Sequence, residues 1–242
     1  MWLRLPTSVS EAQEFLAAGA VPIGGASLVW ATWQRDGFPE QAMSLREVPE
    51  ANVVGRGTLG AAVVLSRIGD GVPEVLRAAA ATVGTGAVRR TATVGGNIVG
   101  SSLRCLLPAA LALDARATVL EPDRVYETDL AEIVAKRPLL LDLKWDEPSV
   151  SGYRKLAGEA GGPPPFVVAA AVHADAGAEG GRRLRVAVRD GYEVLSESAP
   201  CQAAPEDTVA ALRRTDLGAL DPLAWAAVSD QVTEVLTRPS TG

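Results

Sequence analysis

The sequence is poor in the two residue types that most often bind metals. It contains two cysteines and one histidine among 242 residues. That set is too small for a structural zinc site of the usual four-ligand kind, and too small for an iron–sulfur cluster held by four thiolates. We therefore predict no metal site, and any metal that serves redox chemistry must be bound by another chain.

The same shortage restricts catalysis and location. Cys105 and Cys201 leave no disulfide framework, which fits a reducing cytoplasm. A Ser-His-Asp triad would require His173, which closes an apolar run over residues 167–175. We interpret His173 as a strand-end residue without a catalytic role and Cys105 as a small, inert hydrophobe. No catalytic side chain is predicted.

The sequence also lacks an excess of basic residues and any long apolar run. The formal net charge is −6 and the isoelectric point is about 5.0, which is no electrostatic signature of nucleic-acid binding. No window reaches the roughly 18 apolar residues of a membrane span, and the segment from Met1 to Pro6 lacks the apolar core of a signal peptide. We expect no nucleic-acid partner, no membrane span and a cytoplasmic location.

Hydrophobic residues make up 48% of the sequence, enough for a sizeable packed interior. Ser8 and Glu11 form a capping-box pattern that predicts a helix ending at Gly19. A short strand over 20–23 follows, breaks at Gly24-Gly25 and is predicted to resume over 26–30. The beginning of the chain thus has the pattern of an α/β unit.

The remaining pattern mixes strands and helices. Strands are predicted as a pair within 51–68 and at 117–120, 139–143, 166–174, 184–188 and 192–195. Helices are predicted at 73–82, 102–112, 129–134, 206–213 and 223–237. A shift in composition near Pro148 divides the chain into a domain over 1–148, with subdomains of about 1–50 and 51–148, and a C-terminal domain over 149–242.

Two segments place adjacent glycines where a strand meets a turn. Loop 1 is Ile23-Gly24-Gly25-Ala26-Ser27, and loop 2 is Thr93-Val94-Gly95-Gly96-Asn97. Paired glycines permit positive φ, and consecutive main-chain N–H groups can then form a nest for an anion such as a diphosphate. Flanking hydroxyl and amide side chains can add hydrogen bonds. Each glycine pair by itself is more often a purely structural turn.

Other nucleotide-binding patterns are not met. The segment from Gly84 to Arg89 opens like a dinucleotide fingerprint but lacks its third glycine and a directly following helix. A phosphate-binding Gly-x-x-x-x-Gly-Lys-Ser/Thr motif is absent from the sequence. We therefore reject both readings.

The segment from Ala87 to Ile98 resembles the second flavin loop of the FAD-binding subunits of molybdenum hydroxylases. That family's pattern is close to Gln-Ile-Arg-Asn-x-Ala-Thr-Ile-Gly-Gly-Asn. The run from Leu106 to Ala115 is similar to the helix that follows it there, loop 1 resembles the family's Ala-Gly-Gly-x-Ser/Asp-Leu, and Leu59-Gly60-Ala61 falls where the family has Ile-Gly-Ala. Order and spacing agree over most of residues 1–175.

The resemblance implies an α+β fold, in which two α/β subdomains clasp FAD and a C-terminal domain has a small antiparallel sheet with helices. It also implies electron transfer from a molybdenum centre through iron–sulfur clusters to FAD, and on to an acceptor such as NAD or a quinone. The expected partners are an iron–sulfur small subunit and a molybdopterin large subunit in a hetero-oligomer.

The resemblance also assigns the FAD-binding residues. Residues 23–27 match the first diphosphate loop, four residues match the second, and Lys155 matches a family lysine near the flavin ring. The predicted site is Ile23, Gly24, Gly25, Ala26, Ser27, Thr93, Gly95, Gly96, Asn97 and Lys155.

Some positions depart from the family pattern. Cys105 stands where the family has Asp, Arg90 replaces its Asn, and Val64 lies where a Thr is expected. The Cys105 and Val64 changes motivate the first of two alternatives to a flavin subunit. The first is a flavin-free relative that serves as an interaction subunit, and the other is a stand-alone NAD(P)H-dependent flavoenzyme.

Three tryptophans add one further expectation. Trp30, Trp33 and Trp145 could stack on a flavin ring, but they are commoner as core or interface anchors. We predict that the segment carrying Trp30 and Trp33 contacts a partner subunit.

Overall fold

The structure is a computed structural model that describes residues 1–133, 135–158, 161–177 and 181–239. Its strands are β1 (Trp2–Arg4), β2 (Val21–Pro22), β3 (Gln41–Met43), β4 (Val54–Gly55), β5 (Thr58–Gly60), β6 (Arg116–Leu120), β7 (Val125–Asp129), β8 (Leu140–Lys144), β9 (Val150–Lys155), β10 (Val167–Ala174), β11 (Arg182–Asp190) and β12 (Glu193–Pro200). Its α-helices are α1 (Val9–Ala17), α2 (Val29–Asp36), α3 (Glu74–Ala81), α4 (Gly86–Arg89), α5 (Leu107–Ala112), α6 (Leu130–Ile133), α7 (Pro205–Leu212) and α8 (Pro222–Thr237).

The chain folds into two compact units. The first comprises Met1–Val72, Val83–Leu106 and Ala115–Trp145, and the second comprises Pro73–Thr82, Leu107–Asp114 and Asp146–Gly242. Helices α3 and α5 therefore belong to the second unit, although both lie inside the range 1–148. The predicted boundary at residue 148 stays a prediction.

The first unit begins with a parallel three-stranded sheet in the order β1-β3-β2. Ser8 caps α1 by accepting a hydrogen bond from the Glu11 amide. The Glu11 carboxylate reaches back one residue further than in a capping box, because its Oε2 accepts from the Thr7 amide at 2.7 Å. Gly19 ends the helix region at φ +82°, so the predicted start and stop of this helix are confirmed.

The second sheet of this unit is antiparallel and has the order β4-β5-β8-β6-β7. At Gly60 the neighbouring backbone of Ala51 and Asn52 leaves no space for a side chain, and a Cβ atom would lie 2.7 Å from the Asn52 nitrogen. The buried Asp142 carboxylate accepts a hydrogen bond from Thr118 Oγ1 at 2.6 Å. The sequence did not predict β7.

The second unit is built on an antiparallel sheet in the order β12-β11-β10-β9. Alternate residues of its central strands pack with α7 and α8 in one buried apolar cluster, which includes Val168, Val186 and Val232. Helices α3 and α5 also contact this sheet. The predicted small antiparallel sheet with helices, and the α+β class, are confirmed.

Two secondary-structure predictions, for residues 26–30 and for residues 102–112, are wrong. Residues 26–30 do not resume a strand, because Leu28 occupies the N-cap position of α2 and Val29 begins the helix. The predicted helix over 102–112 begins only at Leu107, so Pro108 lies in its first turn, where a missing N–H costs nothing. The expected helix over 129–134 is present as α6, and Val134 lies outside the described residues.

Within the described ranges, no helix combines the length and the apolar character needed to cross a membrane.

Candidate functional site

Loop 1 (residues 23–27) connects β2 to α2. The Ile23 amide donates to the Met43 carbonyl at 2.7 Å, which fixes the start of the loop to β3. Ala26 has a φ of +54°, a left-handed conformation that is uncommon for a residue with a side chain. The Trp30 amide donates to the Ala26 carbonyl at 3.1 Å, so the chain passes from the loop directly into the first turn of the helix.

Loop 1 presents a run of main-chain N–H groups to its surroundings. Within the described part of the chain, the amides of Gly24, Gly25, Ala26 and Ser27 have no hydrogen-bond partner. They are followed by the N-terminus of α2, where Leu28 supplies no side-chain cap. Adjacent N–H groups at a helix N-terminus carry a partial positive charge that favours an anion.

Loop 2 (residues 93–97) has a different role, because the amides of residues 94–97 are already bonded. The amides of Val94 and Gly95 donate to the carbonyls of Val63 and Ala61 at 3.0 and 2.9 Å. The Gly96 amide donates to Thr93 Oγ1 at 3.2 Å, and the Asn97 amide donates to the Thr93 carbonyl at 2.9 Å. Loop 2 is therefore a fixed element, and the open amides expected in both glycine loops are found in loop 1.

The two loops lie against each other within the first unit. A Cβ atom at Gly24 would overlap Thr93 Oγ1, and one at Gly25 would overlap the carbonyl group of Thr91. Neither these two glycines nor Gly95 and Gly96 have positive φ. The glycines of loop 1 are thus needed for close approach to loop 2 and not for an unusual backbone conformation.

Loop 2 continues into an unusual turn. Residues Gly96–Gly100 form a π-helical turn, a feature that often occurs at functional sites. Asn97 is buried, and its Oδ1 accepts a hydrogen bond from the Leu106 amide at 2.8 Å. The side chain assigned to FAD by resemblance therefore also fixes the segment that follows loop 2.

Lys155, the remaining predicted site residue, ends β9 in the second unit. Its Nζ donates to the Thr82 carbonyl at 3.2 Å, and Thr82 Oγ1 lies 3.1 Å from the Tyr153 hydroxyl. The assignment of Lys155 to the flavin site stays a prediction.

The positions that depart from the family pattern occupy ordinary places in the structure. Cys105 is buried, Val64 forms an isolated antiparallel bridge with Thr93, and Arg90 is exposed at the end of α4. Among the described residues no group of three or more His, Cys, Asp or Glu side chains could hold a metal ion.

The single histidine lies away from the glycine loops in sequence and belongs to the second unit. His173 is buried and its Nε2 lies 2.9 Å from the Ala112 carbonyl. Burial lowers the pKa of His173, and the hydrogen bond to Ala112 opposes that shift. A neutral imidazole protonated at Nε2 can donate a hydrogen bond to the Ala112 carbonyl. The geometry therefore gives His173 a structural role, in which it links β10 to α5.

Sequence reasoning missed the group that supports loop 1. The Thr91 carbonyl meets Gly25 of loop 1. Ala61 in turn supports loop 2, because a Cβ atom at Gly95 would lie 3.0 Å from the Ala61 Cβ. Thr91 lies two residues before Thr93, but its contact is made by the backbone and leaves no residue-type signal. For Leu59-Gly60-Ala61 the only sequence signal is its match to the family's Ile-Gly-Ala.

A comparison with protein families identifies the family of this chain. Residues 2–144, more than half of the chain, match the family described as the FAD binding domain in molybdopterin dehydrogenase. The chain belongs to this family, and FAD is the cofactor of such a domain. The resemblance stated from the sequence is confirmed.

Solved structures show the same fold over nearly the whole chain. Quinoline 2-oxidoreductase from Pseudomonas putida 86 matches with a TM-score of 0.69 and 18% identity, over 98% of this chain and 95% of that one. A Cu,Mo-CO dehydrogenase in its cyanide-inactivated form matches with a TM-score of 0.72 and 15% identity, over 98% and 96%. Carbon monoxide dehydrogenase from Hydrogenophaga pseudoflava matches with a TM-score of 0.69 and 16% identity, over 98% and 96%. No protein with a curated description matches the sequence.

Proposed function

We propose that this chain binds FAD with the diphosphate against the amides of loop 1, and that it serves as the electron-transferring flavin subunit of a molybdenum hydroxylase-type oxidoreductase. The observation that carries the proposal is the run of unpartnered N–H groups from Gly24 to Ser27, which directly precedes α2 and packs against loop 2. Loop 1 itself contains no Lys or Arg. Main-chain dipoles therefore supply its attraction for a diphosphate.

Each loop has a distinct task in this proposal. Residues 23–27 contact the diphosphate, with the Ser27 hydroxyl as an additional donor. Thr93, Gly95 and Gly96 hold loop 1 in place, since Thr93 Oγ1 both accepts from Gly96 and lies next to Gly24. Asn97 keeps the following segment in register through the Leu106 amide. Lys155 is proposed to act near the flavin ring, on the resemblance alone.

The role in electron transfer rests on family membership. FAD supplies the ability to accept and release electrons one or two at a time, while the protein binds and orients it. We propose an iron–sulfur small subunit as the electron donor and a molybdopterin large subunit as the place of substrate oxidation, in a cytoplasmic hetero-oligomer. The solved relatives support this proposal, because they are CO dehydrogenases and quinoline 2-oxidoreductase.

The binding part is tested by titrating the purified, flavin-depleted chain with FAD and following the quenching of flavin fluorescence. We expect saturable binding of one FAD, competed by ADP, which carries a diphosphate, and not by adenosine. Absence of any FAD binding would refute the proposal and favour the flavin-free interaction subunit.

The electron-transfer part is tested with the complex. Genes adjacent to that of this chain are expected to encode an iron–sulfur protein and a large molybdopterin protein, and the three chains are co-purified. Addition of the complex's reducing substrate should bleach the flavin absorption. If the isolated chain oxidises NAD(P)H at the rate of the complex, it is a stand-alone flavoenzyme and the proposed role is wrong.

A further inference from the structure

An exposed aromatic cluster lies directly after loop 1. It consists of Trp30 and Trp33 on α2 and Phe38 just beyond the helix. The rings of Trp30 and Phe38 have centroids 5.2 Å apart in an edge-to-face arrangement, and those of Trp33 and Phe38 are 6.2 Å apart. Trp30 and Phe38 nevertheless remain 48% and 45% exposed.

Core packing does not account for these rings. None of the residues of α2 is buried, and the buried apolar cluster of the preceding sheet has no member in α2. By contrast Trp145, the third tryptophan considered for stacking, is 7% exposed and belongs to the core. The three rings therefore pack against one another but do not contribute to the buried interior.

Trp30 follows the open amides of loop 1 closely along the chain. It lies in the first turn of α2, and its amide donates to the Ala26 carbonyl at 3.1 Å. Three residues separate Trp30 from Ala26, so the indole is carried within a few residues of the open amides. A planar ring joined through a ribose or ribityl chain to a diphosphate on loop 1 can reach a side chain carried this close to the loop.

We propose that the indole of Trp30, supported by Phe38 and Trp33, provides the stacking surface for one of the two planar ring systems of FAD. The proposal rests on the proposed function, since it places the diphosphate on loop 1. Stacking on an indole is favourable for adenine and for isoalloxazine alike, because both have an extended π face. The shared chemistry is thus a heteroaromatic ring carried by a diphosphate.

The experiment compares Trp30→Leu and Trp30→Phe with wild type in the full-length, flavin-depleted chain. Trp2→Leu is the matched control, because Trp2 is an exposed tryptophan of the same unit at 71% exposure and no described ring packs against it. Far-UV circular dichroism and thermal unfolding of each variant verify the fold. Binding is measured for FAD, for ADP and for FMN.

Trp30→Leu is expected to weaken FAD binding about ten-fold, the usual size of one lost stacking contact. Trp30→Phe should recover most of the affinity, and Trp2→Leu should leave it unchanged. A parallel loss with ADP would identify the ring as adenine, and a parallel loss with FMN would identify it as isoalloxazine.

Unchanged FAD affinity in Trp30→Leu, in a chain whose wild type binds FAD, would overturn this inference and leave the proposed function intact. If that variant also dissociated more readily from the co-purified subunits, the aromatic cluster would be a partner-contacting surface, as the sequence first suggested. Equal losses in the Leu and Phe variants would equally refute a stacking role.

Discussion

Gly25→Ala tests whether the contact between the two glycine loops supports the cofactor site. At a position with negative φ and free space, replacing glycine by alanine stabilises a protein by about 0.4–1 kcal/mol. At Gly25 the new Cβ would overlap the Thr91 carbonyl group and would lie 3.0 Å from the Ala92 nitrogen. The obstacle is backbone, so loop 1 must move away by more than about 1 Å, at a cost of roughly 1–3 kcal/mol.

The displacement should affect stability and cofactor binding together. For a chain of this length each kcal/mol lowers Tm by about 2–4 °C. Loss of one hydrogen bond to a charged phosphate, worth about 1.5–3 kcal/mol, should weaken FAD binding by roughly 10- to 100-fold. Thermal unfolding and a fluorescence titration with FAD measure the two effects.

Gly69→Ala is the matched control. Gly69 lies in the same unit, has no positive φ, and a Cβ atom there would meet nothing within 4 Å. This variant should retain full stability and FAD affinity. A Gly25→Ala protein as stable as the control, with unaltered FAD affinity, would show that the loops do not pack as described.

The remaining predictions concern one buried hydrogen bond and one titrating group. Asn97→Ala leaves the buried Leu106 amide without its acceptor, so the free energy of unfolding should fall by about 1–3 kcal/mol in urea titrations, whereas Asn97→Asp, which keeps an acceptor oxygen, should lose less. Burial lowers the pKa of folded His173, so the unfolded state, with a pKa of about 6.5, binds more protons as the pH falls. Stability should therefore decrease from pH 7.5 to 5.5 by up to about 1.4 kcal/mol per pH unit, and His173→Gln should remove this dependence. A slope unchanged in that variant would assign the titration elsewhere.

The family motif made the presence of loop 2 predictable from the sequence. Its role as the support for loop 1 was not predictable. The Thr93-to-Asn97 pattern identified the cofactor class from sequence alone. The contact of Gly25 with Thr91, however, joins two backbone segments 66 positions apart, and a carbonyl oxygen carries no residue-specific signal. Sequence reasoning thus recognised both loops without showing which one holds the open amides.

Two secondary-structure errors have identifiable causes. The run Leu28-Val29-Trp30 has high strand propensity, and α2 begins without a capping side chain, so no local signal announced the helix. Strand β9 was missed because Gly152 interrupts its pattern. In the structure Gly152 makes room for α8, since a Cβ atom there would lie 2.5 Å from Gln231 Nε2.

Helix α2 contributes no buried side chain to its unit, and its first turn follows the amides proposed to contact the cofactor. If the proposed contact is made, occupancy of the site and local folding of this segment would form one coupled equilibrium. Cofactor concentration would set the fraction of molecules in which residues 23–38 resist amide hydrogen exchange. Assembly steps that recognise this surface would consequently select chains that have already been loaded.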